Sequence, residues 1–206
     1  MKNSIGKVIT LSALVCFLNS SSASALTLTS NPINVAAEVP SNLTLDVSVA
    51  EETSIDDQNN PVLVPRTSMD HGILKTGFLG HFYGKVFHVF IGTGTLGSPY
   101  TVTSTMQPLS ANTPGGLVEL PRAMLLTPVS AKDENGDPKG TLADVQDAVG
   151  SLKTIYTSDS PTGTGVIVEL VYTLNDKSTV GTWAPVLASQ VPGLYSSTVV
   201  YTLTTT

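Results

Sequence analysis

Hydrophobic and polar residues take turns along most of this chain, and the period is two. In "INVAAEV", Ile33, Val35, Ala37 and Val39 share one face while Asn34 and Glu38 take the other. After Pro40-Ser41-Asn42 the alternation resumes, with Leu43, Leu45, Val47 and Val49 set against Thr44, Asp46 and Ser48. Later stretches repeat it: Tyr100, Val102, Ser104 and Met106 in "YTVTSTM"; Val166, Val168, Leu170, Tyr172 and Leu174 in "VIVELVYTL"; Val199, Tyr201 and Leu203 in "YSSTVVYTL". Successive side chains of an extended strand point to opposite faces. The pattern therefore predicts strands with one buried and one wet face, as in antiparallel sheets. The run "KVFHVFI" is mainly apolar on both faces and predicts a central strand covered on both sides.

Turn residues separate these units at Asp56–Pro61, Thr113–Gly116, Asp133–Pro138 and Ser158–Gly165. One stretch, "TLADVQDAVG", predicts a short helix: Thr141 as N-cap, Asp144 three residues on, apolar Leu142, Val145 and Val149, and Gly150 as a stop. Short strands in a chain of this length predict an all-β fold, an immunoglobulin-like antiparallel β-sandwich with one short helix in a connection. A closed membrane barrel of about eight strands also fits the length. Sparse aromatics, the lack of recurring interfacial girdles and the ending Thr204-Thr205-Thr206 speak against it.

The first residues change the picture from fold to compartment. Lys2 and Lys7, the apolar run "VITLSALVCFL" and the small residues Ala23-Ser24-Ala25 have the layout of a secretory signal peptide over residues 1–25, cut before Leu26. Eleven apolar-rich residues are too few for a comfortable membrane span. The remaining 26–206 are expected to form a single β-sandwich domain with no membrane span, exported to the periplasm, cell surface or an extracellular fibre. The one cysteine, Cys16, lies inside the removable segment, and Leu14-Val15 before it does not suit a lipid-anchor site. The processed chain then has no disulfide and no thiolate site, so its core must hold it. Removing the signal takes two lysines and no acids, moving the formal net charge from −6 to −8. An acidic chain with no basic stripe is a poor partner for nucleic acid.

Candidate chemistry is thin. Gly92-Thr93-Gly94-Thr95-Leu96-Gly97 spells the dinucleotide fingerprint, with Glu119 near the distance of a ribose contact. Such a site needs a helix directly after the third glycine, and here Ser98-Pro99 leads into strict alternation, so the glycines read as a connection between strands. His71, His81 and His88, with Asp70, lack metal-ligand spacing. "DENGD" at Asp133–Asp137 lacks the closing acid of a calcium loop, and Asn135-Gly136 reads as a hairpin turn. No serine sits in a nucleophile elbow. The carboxylate pairs Glu51-Glu52 and Asp56-Asp57 read as polar turn regions. Trp183, Tyr83, Tyr156 and Tyr195 are candidates for stacking on sugars, set against ordinary core packing. No catalytic residue, cofactor or metal is predicted.

Two segments carry a resemblance. The end, "VPGLYSSTVVYTLTTT", with Gly193-x-Tyr195 before Val199, Tyr201 and Leu203, resembles the last strand of exported bacterial β-sandwiches such as chaperone–usher pilin subunits. The front, "INVAAEVPSNLTLDVSV", resembles the start of the alternate chaperone–usher pilins, and the style is similar to spore-coat-U domains, whose usual cysteine pair is missing here. The two segments span about a fifth of the chain. What the resemblance implies is assembly by β-strand addition, in which the N-terminal segment of one subunit completes the sandwich of another. Residues 26–40 would then be a donor, with Ile33, Val35, Ala37 and Val39 as subunit contacts; alternatively they form the first strand of their own domain. The expected function is a secreted, non-enzymatic structural or adhesive surface protein, specifically a pilus or fibre subunit. Its partners would be copies of itself, other surface subunits or a periplasmic chaperone. The alternative is a secreted carbohydrate- or ligand-binding module using the Gly92–Pro99 and Ser158–Gly165 connections, and a secreted hydrolase with dispersed carboxylates stands third.

Overall fold

A computed structural model describes residues 27–30, 37–39, 43–76, 81–94, 98–120, 123–158, 165–174, 186–187 and 190–205. Among the described residues the chain is all-β, with antiparallel pairing throughout and no helix.

The larger sheet runs β13 (Gln146–Asp147), β11 (Met124–Asp133), β15 (Val166–Leu174), β7 (Val86–Gly94), β3 (Leu43–Ile55), β2 (Ala37–Val39). Strand β4 (Pro61–Arg66) also pairs β3. Because β7 takes residues 44–52 of β3, while β2 takes 43–45 and β4 takes 49–55, the last two lie in tandem on one edge. The smaller sheet runs β1 (Thr27–Ser30), β17 (Val199–Thr205), β8 (Tyr100–Met106), β14 (Gly150–Thr157), β12 (Thr141–Leu142). Two small additions complete the set: the hairpin of β9 (Leu109–Thr113) and β10 (Gly116–Leu120), and the ladder β16 (Val186–Leu187), β6 (His81–Tyr83), β5 (Lys75–Thr76).

The alternation becomes burial. Leu45, Val47 and Val49 of β3 are buried while Thr44, Asp46 and Ser48 are exposed. Val166, Val168, Leu170 and Tyr172 of β15 and Val199, Tyr201 and Leu203 of β17 are buried in the same way. These faces of the two sheets belong to one hydrophobic cluster, which gives a sandwich-like layering. Four tyrosines, Tyr100, Tyr156, Tyr172 and Tyr201, are fully buried in it. Buried hydroxyls are costly unless bonded. Tyr201 Oη donates to Tyr172 Oη across the sheets at 2.9 Å. Thr93 Oγ1 donates to the Val166 carbonyl at 3.2 Å, which leaves Tyr100 Oη to donate to Thr93 Oγ1 at 2.7 Å. Burial pushes the Tyr172 and Tyr201 phenols well above their ordinary pKa.

The run "KVFHVFI" is the central strand β7, between β15 and β3. Phe87, Val89 and Ile91 face the core; on the other face His88 is buried while Val86 and Phe90 are half-buried. The predicted helix at 141–150 is absent. The segment instead forms β12 on the smaller sheet and β13 on the larger, and Val145 is 44% exposed. Ten residues make a marginal helix in isolation, and two sheet edges offered main-chain partners nearby. The Asp147 carboxylate also takes the Val149 N–H at 2.9 Å, a local bond that competes with a helix. Gly150, expected as the helix stop, is instead the first residue of β14, at φ +114°. No helix among the described residues is long and apolar enough to cross a membrane.

Candidate functional site

The two sheets close at their sides by straps. On one side, β1 forms the edge of the smaller sheet beside β17 in the register Thr27↔Thr204, Leu28↔Leu203, Thr29↔Thr202, Ser30↔Tyr201. A few residues on, β2 lies on the edge of β3, with Ala37↔Leu45, Glu38↔Thr44 and Val39↔Leu43. The N-terminal segment thus reaches both sheets. Of the four predicted contact residues, Ala37 and Val39 stand in β2, paired with Leu45 and Leu43 of the same chain. Ile33 and Val35 lie outside the described residues. Alternation alone missed β1. The signal was there as a Thr-Leu-Thr triplet near each end, Thr27-Leu28-Thr29 and Thr202-Leu203-Thr204, which meet like with like. Cross-strand Thr–Thr pairs are favourable in antiparallel ladders.

On the other side, the segment that failed to form a helix makes the second strap. β12 pairs Thr141 and Leu142 with Thr157 and Tyr156, and β13 pairs Gln146 and Asp147 with Leu126 and Leu125. Between and beyond them, Ala143 N–H donates to the Ile155 carbonyl at 3.1 Å and Ala148 N–H to Met124 at 3.0 Å. The Gln146 amide reaches the Thr154 carbonyl at 3.0 Å.

The turn before this strap repeats an earlier one. Asp133 Oδ1 accepts the N–H groups of Asn135 and Asp137, at 2.9 and 3.0 Å, and Gly136 has φ +83°. Asp56 Oδ1 accepts those of Gln58 and Asn60, at 2.9 and 2.8 Å, and Asn59 has φ +66°. In both, the next residue is proline. The pattern is Asp, two residues, a left-handed Asn or Gly, one residue, Pro. Both carboxyls sit below their ordinary pKa. For Asp56 the Asn60 amide is the main cause. For Asp133 burial works the other way and is outweighed by the Asp137 amide, Lys139 and the Asn135 amide together. The "DENGD" carboxylate is therefore occupied with its own turn.

The outer face of the larger sheet carries a polar chain that crosses four strands. Ser130 Oγ donates to Glu169 Oε2 at 3.1 Å, His88 Nδ1 lies 2.8 Å from Glu169 Oε1, and His88 Nε2 lies 3.3 Å from Glu52 Oε2. The serine is bonded to the carboxylate and not to the imidazole, so the order of a nucleophilic relay is missing. The chain ties β11, β15, β7 and β3 together. Glu51 and Glu52, expected in a turn, are neighbours in β3 and make different contacts. Glu51 is 8% exposed and holds Arg66 Nε at 2.8 Å and Lys85 Nζ at 3.1 Å. The bonded Arg66 keeps its carboxyl below the ordinary value against the effect of burial, with Lys85 adding to it.

The other predicted groups disperse. Gly92 and Gly94 belong to strand β7 itself and not to the connection, since pairing with β3 continues through Gly94. Next to them stand Asp46 for Gly92, and Gly165 and Thr44 for Gly94. His71 and His88 occupy separate environments, and His81 is in β6. Among the described residues no group of three His, Cys, Asp or Glu is arranged to hold a metal ion. Tyr156 is in the core and Tyr195 packs against it, while Tyr83 is 39% exposed. Trp183 and residues 159–164 and 95–97 lie outside the described residues. No protein-family model, no curated protein and no solved structure matches this chain.

Proposed function

We propose that this chain is a secreted, non-enzymatic structural or adhesive surface protein, a pilus or fibre subunit that assembles by β-strand addition onto an immunoglobulin-like sandwich. The observation that supports it most is the N-terminal strap. β1 and β2 are the outermost strands of two different sheets, joined to them by four and three residue pairs. A ladder on an edge is made of main-chain bonds, so the same segment of a second copy can replace it with equal geometry. The resemblance of the segments "INVAAEVPSNLTLDVSV" and "VPGLYSSTVVYTLTTT" to pilin subunits points the same way, and β2 and β17 lie within them. Under this reading residues 26–40 act as donor, with Ile33, Val35, Ala37 and Val39 among the contacts, and copies of the same chain are the first partners.

Deleting residues 26–40 from the processed protein tests it. Polymers seen by electron microscopy should vanish, and a peptide of that sequence should restore a folded monomer. Unchanged filaments after the deletion would end the donor-strand reading.

A further inference from the structure

One end of the sandwich holds a half-buried histidine, His71, whose two ring nitrogens are turned away from solvent. The segment Thr67–Leu74 joins β4 to β5, and its Met69 and Leu74 pack against the core. Asp70 Oδ1 accepts the Gly72 N–H at 2.8 Å, and Gly72 turns the chain at φ +62°. Between them, His71 meets Phe87 edge-on, with ring centroids 5.0 Å apart at 86°. The ring also fills the space at Gly84, where a Cβ would stand 2.6 Å from His71 Nδ1 and 2.9 Å from Leu174 Cδ1. Both ring nitrogens are buried and neither meets a hydrogen-bond partner. A neutral imidazole tolerates such a seat, whereas an imidazolium would bring two charged N–H donors into it unsolvated.

The charged groups around the ring are few. Asp70, on its own segment, favours the charged form, and Lys85, leading into β7, opposes it. The Lys85 ammonium is itself held by Glu51, which also takes Arg66. The Lys85 main chain favours the charged ring more than Asp70 does, without reaching hydrogen-bond geometry, and burial outweighs both. From β7 and β15 the facing groups are Phe87 and Leu174, both apolar.

We propose that His71 is an acid-released latch: neutral, it seats residues 67–74 on the end of the sandwich; protonated, it leaves, and the segment opens over Phe87 and Leu174. Ile73, 96% exposed at the turn, moves with it. Burial carries the His71 pKa from 6.5 down to about 4. The closed form therefore binds the proton less tightly than the open one. Its advantage is complete above the ordinary imidazole value and is lost as pH falls from 6.5 towards 4. Over that window the opening equilibrium should rise by roughly a hundredfold.

Hydrogen exchange of the full processed chain, corrected for intrinsic rates, tests this at pH 7 and pH 4.5. Amides of residues 67–74 should lose protection more than tenfold while those of β7 and β15 keep theirs. His71→Phe, which fills the seat with an uncharged ring and leaves His81 and His88 in place, should hold its protection at both pH values. Equal loss in the variant and the parent would assign the effect elsewhere and overturn the latch. Should the variant fail to fold, the ring titration of the parent by nuclear magnetic resonance decides: a midpoint well below 6 supports the latch, and one near 6.5 overturns it. Neither result depends on whether the chain polymerises.

Discussion

The two sides of the sandwich are closed by straps of similar design and unequal attachment. Each crosses from the edge of the smaller sheet to the edge of the larger, the N-terminal one through β1 and β2 and the inner one through β12 and β13. The inner strap is bounded in sequence by β11 and β14, and it sends Ala148 and Val149 into the core, 1% and 5% exposed. Extra main-chain bonds to Ile155 and Met124 fix it further. The N-terminal strap runs into a core strand, β3, on its C-terminal side, and its ladders have four and three pairs against two and two in the inner strap. The inner strap thus both closes the sandwich and fills its core; exchange of the N-terminal one between copies is what the proposed function requires.

The sharpest way to break this contrast is to charge the inner strap. Ala148→Asp places a carboxylate among apolar side chains and should cost about 3–5 kcal/mol in urea unfolding. A loss below about 1 kcal/mol would detach that strap from the core. Next comes Gly140→Ala at the entry to β12. Its Cβ would fall on Tyr156 Oη and the Thr157 carbonyl, at φ +64°. Overpacking plus left-handed strain should cost about 2–4 kcal/mol. Gly136→Ala, also at positive φ but with nothing within 4 Å, should cost only about 1 kcal/mol. Equal costs would show that space plays no part at the strap entry.

Tyr201→Phe removes the hydroxyl that bridges the sheets to Tyr172 and should cost about 1–2 kcal/mol by calorimetry; no change would mean the bridge is neutral. The smallest effect is expected at the paired turns. Asp56→Ala and Asp133→Ala should each lower the melting temperature slightly at pH 7. The carboxyl pKa values are depressed in the fold, so this contribution is present above the ordinary carboxylate range and fades as pH falls below it. Parent and variants should therefore converge in acid, and a gap that persisted there would exclude the carboxylate as its source.

The strands were legible because period two is a property of neighbouring residues, and Leu45, Val47 and Val49 declare their face without any partner. β2 was legible as the end of the alternating "INVAAEV"; β1, β12 and β13 were not, because pieces of two to four residues carry no period, and their structure comes from the edges they meet. At 141–150 the spacing of Leu142, Val145 and Val149 matched a helix, and tertiary pairing overrode it. The polar chain on the outer face was invisible for another reason. His88 lies 36 residues from Glu52 and 81 from Glu169, so only the sheet order brings them together. The two Asp turns could have been found by aligning "DDQNNP" with "DENGDP", since each element of the shared hydrogen bonding is local.

The most direct test joins the ends of the chain. Leu28 and Leu203 stand opposite each other, and the processed protein would carry no other thiol, so Leu28→Cys with Leu203→Cys reports the contact on oxidation. Under conditions that give polymers, non-reducing electrophoresis should resolve a ladder of covalent oligomers, with a closed monomer at high dilution. A closed monomer at every concentration would contradict the exchange of this strap between copies.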